Sequence, residues 1–186
     1  NIDFEKKVLL VLQHPILVEN ENASFQMEET LQAVKEIGHP TIVVYPNIDA
    51  GNESIIKIIE KYGKIDNIQI ERNMERHVFL GLISHVSVLV GNSSCGILEA
   101  PSLKLAAVNI GNRQRGRMQA SNVINCGYER GEIKDSINKA LYDKTFLKEL
   151  KGCINPYGDG YSSERIVEIL KTVDINDKLL DKSITY

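Results

Sequence analysis

The sequence lacks any apolar run that approaches the roughly 20 residues needed to span a bilayer, and it shows no signal-peptide pattern. It also lacks an excess of positive charge, since its 186 residues carry a net charge of −3 and the pI is about 5.9. A slightly acidic chain has no general attraction for nucleic acid or for an anionic membrane surface. We therefore expect a cytoplasmic protein with neither partner, in which any phosphate binding depends on local geometry.

Paired cysteines and metal-ligand spacings are missing as well. The three cysteines, Cys95, Cys126 and Cys153, are widely separated, which favours reduced thiols over disulfides. The four histidines do not follow a metal-binding spacing either: His14, His39, His77 and His85. We expect no metal and no cofactor.

What the sequence does contain is a regular alternation of apolar strands and amphipathic helices. With 42% hydrophobic and 25% charged residues, the chain is long enough to form one well-packed core. The patterns predict strands at 7–12, 41–45, 65–70, 86–90, before 110 and at 123–126, and helices at 21–37, 52–62, 76–84, 132–141 and from Ser162 or Ser163 onward. This order predicts an α/β fold with a doubly wound, Rossmann-like parallel sheet over residues 1–174, followed by a tail over 175–186.

The most informative segment follows the fourth strand, where Gly-Asn-Ser-Ser leads directly into a helix. Ser93 and Ser94 place hydroxyls and free backbone N–H groups at a helix N-terminus, which is a favourable site for an anion. A helix cap is the structural alternative for Ser93, and the two roles are compatible. Glu99 follows after a little more than one turn, where it can accept hydrogen bonds from sugar hydroxyls or simply face solvent.

Three further candidates follow other strands, on the side of the sheet where ligands bind in this class of fold. His14 precedes Pro15, whose ring fixes the backbone at the end of the first strand, and its alternative role is to close a loop. Asn47 is either a turn-forming residue or a ligand-binding amide after the second strand. The backbone near Met74, after the third strand, is a candidate to hold a flat base.

The loop after the fifth strand contains three arginines within five residues, flanked by glycines. A guanidinium group matches the geometry of phosphate oxygens, and glycine permits a close backbone approach. Arg113 is nearest to the strand and is our candidate for the phosphate contact. A solvated basic loop is the alternative, and it is the expected role of at least one of Arg115 and Arg117.

Five motifs occur in an order and at spacings that resemble the carboxy-terminal half of the hydrolysing UDP-N-acetylglucosamine 2-epimerases of the sialic acid pathway. They are Gln13-His14-Pro15, Pro46-Asn47-Ile48-Asp49-Ala50-Gly51, Gly91-Asn92-Ser93-Ser94-Cys95-Gly96, Asn109-Ile110-Gly111-Asn112-Arg113-Gln114 and Asn155-Pro156-Tyr157-Gly158-Asp159-Gly160. The Gly-Asn-Ser-Ser turn is similar to the hydrolysing branch, whereas non-hydrolysing enzymes more often have Thr-Asp-Ser-Gly-Gly. The chain departs from the family at 103–106, where a glycine-containing turn is expected.

The resemblance implies one half of a glycosyltransferase-B-like two-domain fold, so that the chain is a fragment that is inactive alone. Its partners would be a UDP-sugar, the amino-terminal domain, against which the last long helix packs, and further copies in a homo-oligomer. Site roles follow by position. Ser93, Ser94 and Arg113 would hold the diphosphate, Glu99 the ribose, and backbone near Met74 the uracil. His14 and Asn47 would complete the contacts, His14 being a possible catalytic residue, while the main acid and base groups belong to the other half.

The implied reaction removes the C2 proton of the sugar, expels UDP from C1 and adds water, giving N-acetylmannosamine and UDP. Two alternatives remain open. One is a different UDP-sugar enzyme of the same fold, such as a UDP-diacetylbacillosamine 2-epimerase or a glycosyltransferase. The other is a non-catalytic module that binds a UDP-sugar.

Overall fold

Strands and helices alternate along the chain in the computed structural model, which describes residues 2–181 apart from the side chain of Lys178. The strands are β1 Leu9–Leu12, β2 Thr41–Val44, β3 Ile68–Glu71, β4 Val88–Gly91, β5 Ala106–Ile110 and β6 Val123–Cys126. The helices are α1 Ala23–Ile37, α2 Asn52–Tyr62, α3 Arg76–Ile83, α4 Cys95–Leu98, α5 Arg130–Tyr142, α6 Lys144–Lys151, α7 Ser162–Thr172 and α8 Asp177–Leu180. Short 3₁₀ helices at Leu17–Asn22 and Ala100–Leu103 precede α1 and β5.

The six strands form one parallel sheet in the order β3-β2-β1-β4-β5-β6. The strand order reverses between β1 and β4, because the chain first builds outward on one side of β1 and then crosses to the other side. Ligands in open parallel sheets bind beyond the carboxyl ends of the strands at such a reversal. The fold class predicted from the sequence is confirmed, and the topology directs attention to the loops after β1 and β4.

The side chains of β1 alternate between the two faces of the sheet, and each face has its own apolar core. Leu9 and Val11 pack with the helices α1, α2, α5 and α6. Leu10 and Leu12 pack on the opposite face with Ile83 of α3 and with the region of α4. A strand buried on both faces explains the continuous apolar run in its sequence, which is typical of parallel sheets with helices on both sides.

Several predicted and observed elements differ in their bounds, and three differences concern β3, α1 and α6. The third strand lies at Ile68–Glu71, and the residues just before it, predicted as strand, form turns after α2. The helix predicted over 21–37 begins at Ala23, since the residues before it form a 3₁₀ helix. Helix α6, which begins directly after α5, was not predicted, although Phe146, Leu147 and Leu150 recur at helical spacing. Asp143 caps this helix by accepting a hydrogen bond from the Phe146 N–H at 2.7 Å.

The described chain forms two compact units. The first extends through Pro156 and contains the whole sheet with α1–α6, and the second begins at Tyr157 and contains α7 and α8. The proposed boundary at residue 174, and the packing of α7 against another domain, stay predictions. Within the predicted tail, α8 forms one helical turn, and residues 182–186 lie outside the described part. In the part of the chain that is described, no helix has the length and apolar character to cross a membrane.

Candidate nucleotide site

The carboxyl ends of β1 and β4 approach each other so closely that Gly91 has room for no side chain. Its φ is 132°, and a Cβ atom there would lie 2.2 Å from the carbonyl oxygen of Leu12. Glycine therefore satisfies two needs at this position, a backbone conformation that other residues rarely adopt and a contact too short for any Cβ. The turn that follows Gly91 is thereby placed directly beside the end of β1.

Asn92 connects the candidate residues that follow three strands, although no role was predicted for it from the sequence. Its side chain is 1% exposed, accepts a hydrogen bond from the His14 backbone N–H at 2.7 Å and donates to the His14 carbonyl oxygen at 2.8 Å. Its own carbonyl oxygen accepts from Gln114 Nε2 at 2.7 Å and from Arg113 Nη1 at 3.3 Å. These contacts fix His14 and Arg113 on either side of the turn that begins with Ser93.

The imidazole of His14 is fixed in one tautomer by the loop after β2. Its Nδ1 accepts a hydrogen bond from the Asn47 backbone N–H at 3.0 Å, so the proton of the neutral ring lies on Nε2. Burial is the main reason why the pKa of His14 falls to about 4; the nearby Arg113 cation also lowers this pKa, and Asp49 opposes the shift. At neutral pH the half-buried ring is therefore uncharged and presents Nε2–H as a donor.

Asn47 has one satisfied and one unsatisfied side-chain atom. Its Nδ2 donates to Asp49 Oδ2 at 2.6 Å, whereas Oδ1 is buried and has no hydrogen-bond partner among the described residues. A buried amide oxygen without a donor is costly, which makes it a good candidate for a contact with a ligand N–H or O–H group. The side chain thus combines a turn-forming contact with an unused acceptor.

Ser93 and Ser94 form the turn between β4 and α4, and both are half-buried. Ser94 occupies the N-cap position, while the Ser93 hydroxyl accepts a hydrogen bond of 3.4 Å from the Cys95 N–H. The N-cap role expected for Ser93 is therefore taken by Ser94, and the Ser93 hydroxyl makes only this long local hydrogen bond. A hydroxyl with so weak a local bond is free to turn toward an anion at the start of the helix.

Glu99 carries a carboxylate that is only partly satisfied. One oxygen lies 3.5 Å from Arg76 Nη2, while Oε2 is buried without a hydrogen-bond partner in the described structure. The side chain lies at a cavity of about 350 Å³ whose other lining residues are Leu80, Leu98, Ser102 and Leu103. A carboxylate acceptor at an otherwise largely apolar cavity suits a ligand that has both hydroxyl groups and a flat apolar part.

The three arginines of the loop after β5 have different environments. Arg113 is half-buried beside Asn92, whereas Arg115 and Arg117 are exposed. These two line a separate cavity of about 700 Å³ at the ends of β5 and β6. Of the three arginines, only Arg113 contacts Asn92, the residue that precedes the serine turn, and its role as the phosphate contact stays a prediction.

Met74 lies on the Glu99 side of the site. Its half-buried side chain packs against the core that contains Leu12 and Val44. Arg76, two residues later, bridges to Glu99. The site thus has two parts, a polar group around Asn92 with His14, Asn47, Ser93 and Arg113, and a second group around Glu99 with Met74 and Arg76. Asn92, Gln114 and Arg76 were not predicted as site residues, although Asn92 and Gln114 both lie inside quoted motifs. Arg76 had no such signal.

Within residues 2–181 no cluster of three or more histidine, cysteine or acidic side chains is suitably placed to bind a metal ion. The cysteines of this part are free thiols, and burial raises the pKa of Cys95 to about 11, which makes it unreactive as a nucleophile.

A family model described as UDP-N-acetylglucosamine 2-epimerase matches residues 1–171, which is most of the chain. The chain belongs to this family. Among curated relatives, it is 33% identical over 184 residues to the UDP-N,N'-diacetylbacillosamine 2-epimerase (hydrolyzing) of Legionella pneumophila, covering 99% of this chain and 48% of the relative. It is 31% identical over 157 residues to the UDP-N-acetylglucosamine 2-epimerase of Neisseria meningitidis, covering 84% and 41%. The chain therefore spans about half the length of these relatives.

Solved structures agree on the fold. The UDP-GlcNAc 2-epimerase from Neisseria meningitidis bound to UDP-GlcNAc superposes with a TM-score of 0.74 at 20% identity, over 92% of this chain and 46% of that one. The Staphylococcus aureus MnaA–UDP co-structure superposes with a TM-score of 0.71 at 19% identity, over 90% and 45%. At these identities the likeness concerns the fold, and it confirms the Rossmann-like class predicted from the strand order.

Proposed function

We propose that this chain is the UDP-binding, carboxy-terminal half of a hydrolysing UDP-N-acetylglucosamine 2-epimerase. The observation that carries the proposal is the buried Asn92, which brings His14 and Arg113 together around the Ser93–Ser94 turn. The family membership supports the reaction class, and the structures of relatives solved with UDP or UDP-GlcNAc support the ligand. In this assignment the phosphates lie at the serine turn and the ribose lies at Glu99.

The reaction requires the departure of UDP from C1 of the sugar after a base removes the C2 proton. The C1–O bond breaks with its electron pair going to the β-phosphate, so negative charge increases there. Arg113, the serine hydroxyls and the His14 Nε2–H are donors that stabilise this charge, and the loss of one such donor typically costs about 10²–10³ in rate. Water then adds to the glycal with inversion at C2.

His14 acts in this scheme as a hydrogen-bond donor and not as the base. A base at Nε2 would need the proton on Nδ1, and that proton would face the N–H of Asn47 at 3.0 Å. The groups that transfer protons at C2 are assigned to the amino-terminal half, so the chain alone is inactive. A cytoplasmic homo-oligomer without cofactor, membrane or nucleic-acid partner completes the proposal.

Calorimetry with UDP tests the phosphate site. Arg113→Gln should weaken UDP binding about 10–100-fold, because a charged hydrogen bond typically contributes about 1.5–3 kcal/mol. The matched control is Arg115→Gln, which removes the same charge from the same loop at an exposed position. Equal losses in the two variants would show that the loop acts only through its net charge and would contradict the assignment.

The sugar has a second candidate. The relative that is 33% identical over 99% of this chain is named for UDP-N,N'-diacetylbacillosamine, which favours that substrate as the alternative. Incubating the intact enzyme with each nucleotide sugar and measuring released UDP distinguishes the two. Release only from the bacillosamine substrate would replace the preferred one, and release from neither would reject both.

A further inference from the structure

The segment after α6, residues 153–155, is hydrogen-bonded to the part of the chain that contains Glu99, residues 98–104. Asn155 Nδ2 donates to the carbonyl oxygen of Leu98 at 2.8 Å and to the hydroxyl of Ser102 at 2.8 Å. On the same segment, the carbonyl oxygen of Cys153 accepts a hydrogen bond from Lys104 Nζ. Three contacts thus connect residues 153–155 to the part of the chain that follows the serine turn.

The two acceptors of Asn155 lie on opposite sides of Glu99 along the chain. Leu98 is the last residue of α4, and Ser102 lies in the 3₁₀ helix Ala100–Leu103, so Glu99 is the junction between two short helices. Helices of four residues have little stability of their own, because nucleation is costly and few internal hydrogen bonds repay it. The direction of Glu99 at this junction therefore depends on contacts from outside both helices.

Asn155 is suited to supply that contact. It is half-buried, and its amide bridges the C-terminal carbonyl of α4 and a side chain that lines the Glu99 cavity. We propose that Asn155 is a positioning residue which holds Glu99 in the orientation that recognises the ribose hydroxyls of the nucleotide. This inference rests on the proposed function, since it takes the ribose as the group that Glu99 binds.

The experiment compares UDP with 2′,3′-dideoxy-UDP, which keeps the uracil and the diphosphate and lacks the hydroxyl groups that Glu99 would bind. Calorimetry on the intact protein gives the ratio of the two affinities. We expect the wild type to prefer UDP about tenfold or more, as a charged hydrogen bond to a hydroxyl predicts. Asn155→Ala should bring this ratio close to 1 mainly by weakening UDP, with dideoxy-UDP binding changed less than about twofold.

Three variants make the result specific. Glu99→Gln reports whether the carboxylate recognises the ribose at all, and Asn138→Ala on α5 is the matched control, which should leave the ratio unchanged. Ser102→Ala removes one of the two acceptors and should reduce the ratio by a smaller factor. It also replaces Asn155→Ala if circular dichroism shows that the latter does not fold.

The failures are distinguishable. An unchanged ratio in Glu99→Gln would reject the ribose role of Glu99 and with it the positioning role of Asn155, whereas the proposed function is rejected separately, by the Arg113→Gln comparison or by the absence of UDP release. A ratio that falls in Glu99→Gln but stays at the wild-type value in Asn155→Ala and Ser102→Ala would overturn only the positioning role. Equal weakening of both nucleotides in Asn155→Ala would assign Asn155 to general stability and would also overturn it.

Discussion

Because His14 is held neutral in the folded protein, the free energy of unfolding should depend on pH between about 4 and 6.5. A histidine with the same pKa in the folded and unfolded states would produce no such dependence. Burial lowers the pKa of His14 to about 4 from an unfolded value of 6.5. Between these values the unfolded chain binds a proton that the folded chain excludes, so the free energy of unfolding falls as the pH decreases. The perturbation that isolates this effect is His14→Gln, since glutamine retains an acceptor for the Asn47 N–H and does not titrate.

The size of the effect follows from the two pKa values. At pH 7 the unfolded imidazole is mostly neutral, so the contribution is close to zero. At pH 5 the unfolded ring is almost fully protonated while the folded ring is mostly neutral, and the loss is about 2 kcal/mol. Below pH 4 both states are protonated, and the loss levels off at about 3 kcal/mol. Relative to His14→Gln, the wild type should therefore become less stable by about 2 kcal/mol between pH 7 and pH 5.

Urea unfolding of both proteins at pH 7, 6 and 5 measures this difference. The carboxylates and the other three histidines are common to both chains, so their titrations cancel in the comparison. Saturation with UDP should reduce the effect, because a phosphate beside the imidazole favours the protonated ring and raises its pKa. If the stability difference between the two proteins is the same at pH 7 and pH 5, His14 is not held neutral and the argument is refuted.

Three further predictions concern stability and are measured by urea unfolding at pH 7. Gly91→Ala should lower the free energy of unfolding by about 3 kcal/mol or more, because its Cβ cannot be accommodated. The control Gly131→Ala in helix α5, with nothing within 4 Å of its Cβ, should raise it by about 0.5–1 kcal/mol. Similar changes in the two variants would contradict the close approach of β1 and β4 at Gly91. Lys104 has φ of 53°, so Lys104→Gly should be about 1 kcal/mol more stable than Lys104→Met, because both lose the same hydrogen bond and only glycine relieves the left-handed backbone. Asn92→Ala should cost about 2–3 kcal/mol by leaving both backbone groups of His14 unpaired, and a cost below about 0.5 kcal/mol would show that water replaces the amide.

The parallel sheet could be predicted because its strands are buried on both faces and therefore appear as short apolar runs between amphipathic helices. Helix α1 ends at Gly38 in the left-handed conformation, as the glycine after the last apolar residue predicts. Helix α6 carries an amphipathic signal as well, because Phe146 and Leu150 pack in the core and Asp143 caps the helix, so it was predictable from the sequence although it was not predicted. The start of β3 was predicted too early because the apolar Ile65 was taken as part of the strand, whereas it lies in the turn region before it.

The candidate residues could be located from the strand order alone, because the residues that follow parallel strands all lie at the carboxyl edge of the sheet, whatever their side chains are. Their connections could not be predicted. Asn92 contacts His14 across 78 positions and Arg113 across 21, and no local pattern encodes a contact at that separation. Nor could the sequence show that the loop after β2 fixes the tautomer of His14, since this requires the Asn47 N–H to lie within hydrogen-bond distance of one particular ring nitrogen.

The position of Lys104 links the departure from the family pattern to the candidate site. A glycine is expected between the 3₁₀ helix and β5, and the backbone there is indeed left-handed, so the lysine is held in a conformation that its Cβ disfavours. Its ammonium group reaches the carbonyl oxygen of Cys153, a hydrogen bond that glycine cannot make. The same short segment carries Asn155, which contacts both sides of Glu99. The lysine thus combines local backbone strain with an additional hydrogen bond to the segment that we propose orients Glu99. Lys104→Gly should therefore lower the ratio of UDP to dideoxy-UDP affinity even where it does not lower stability.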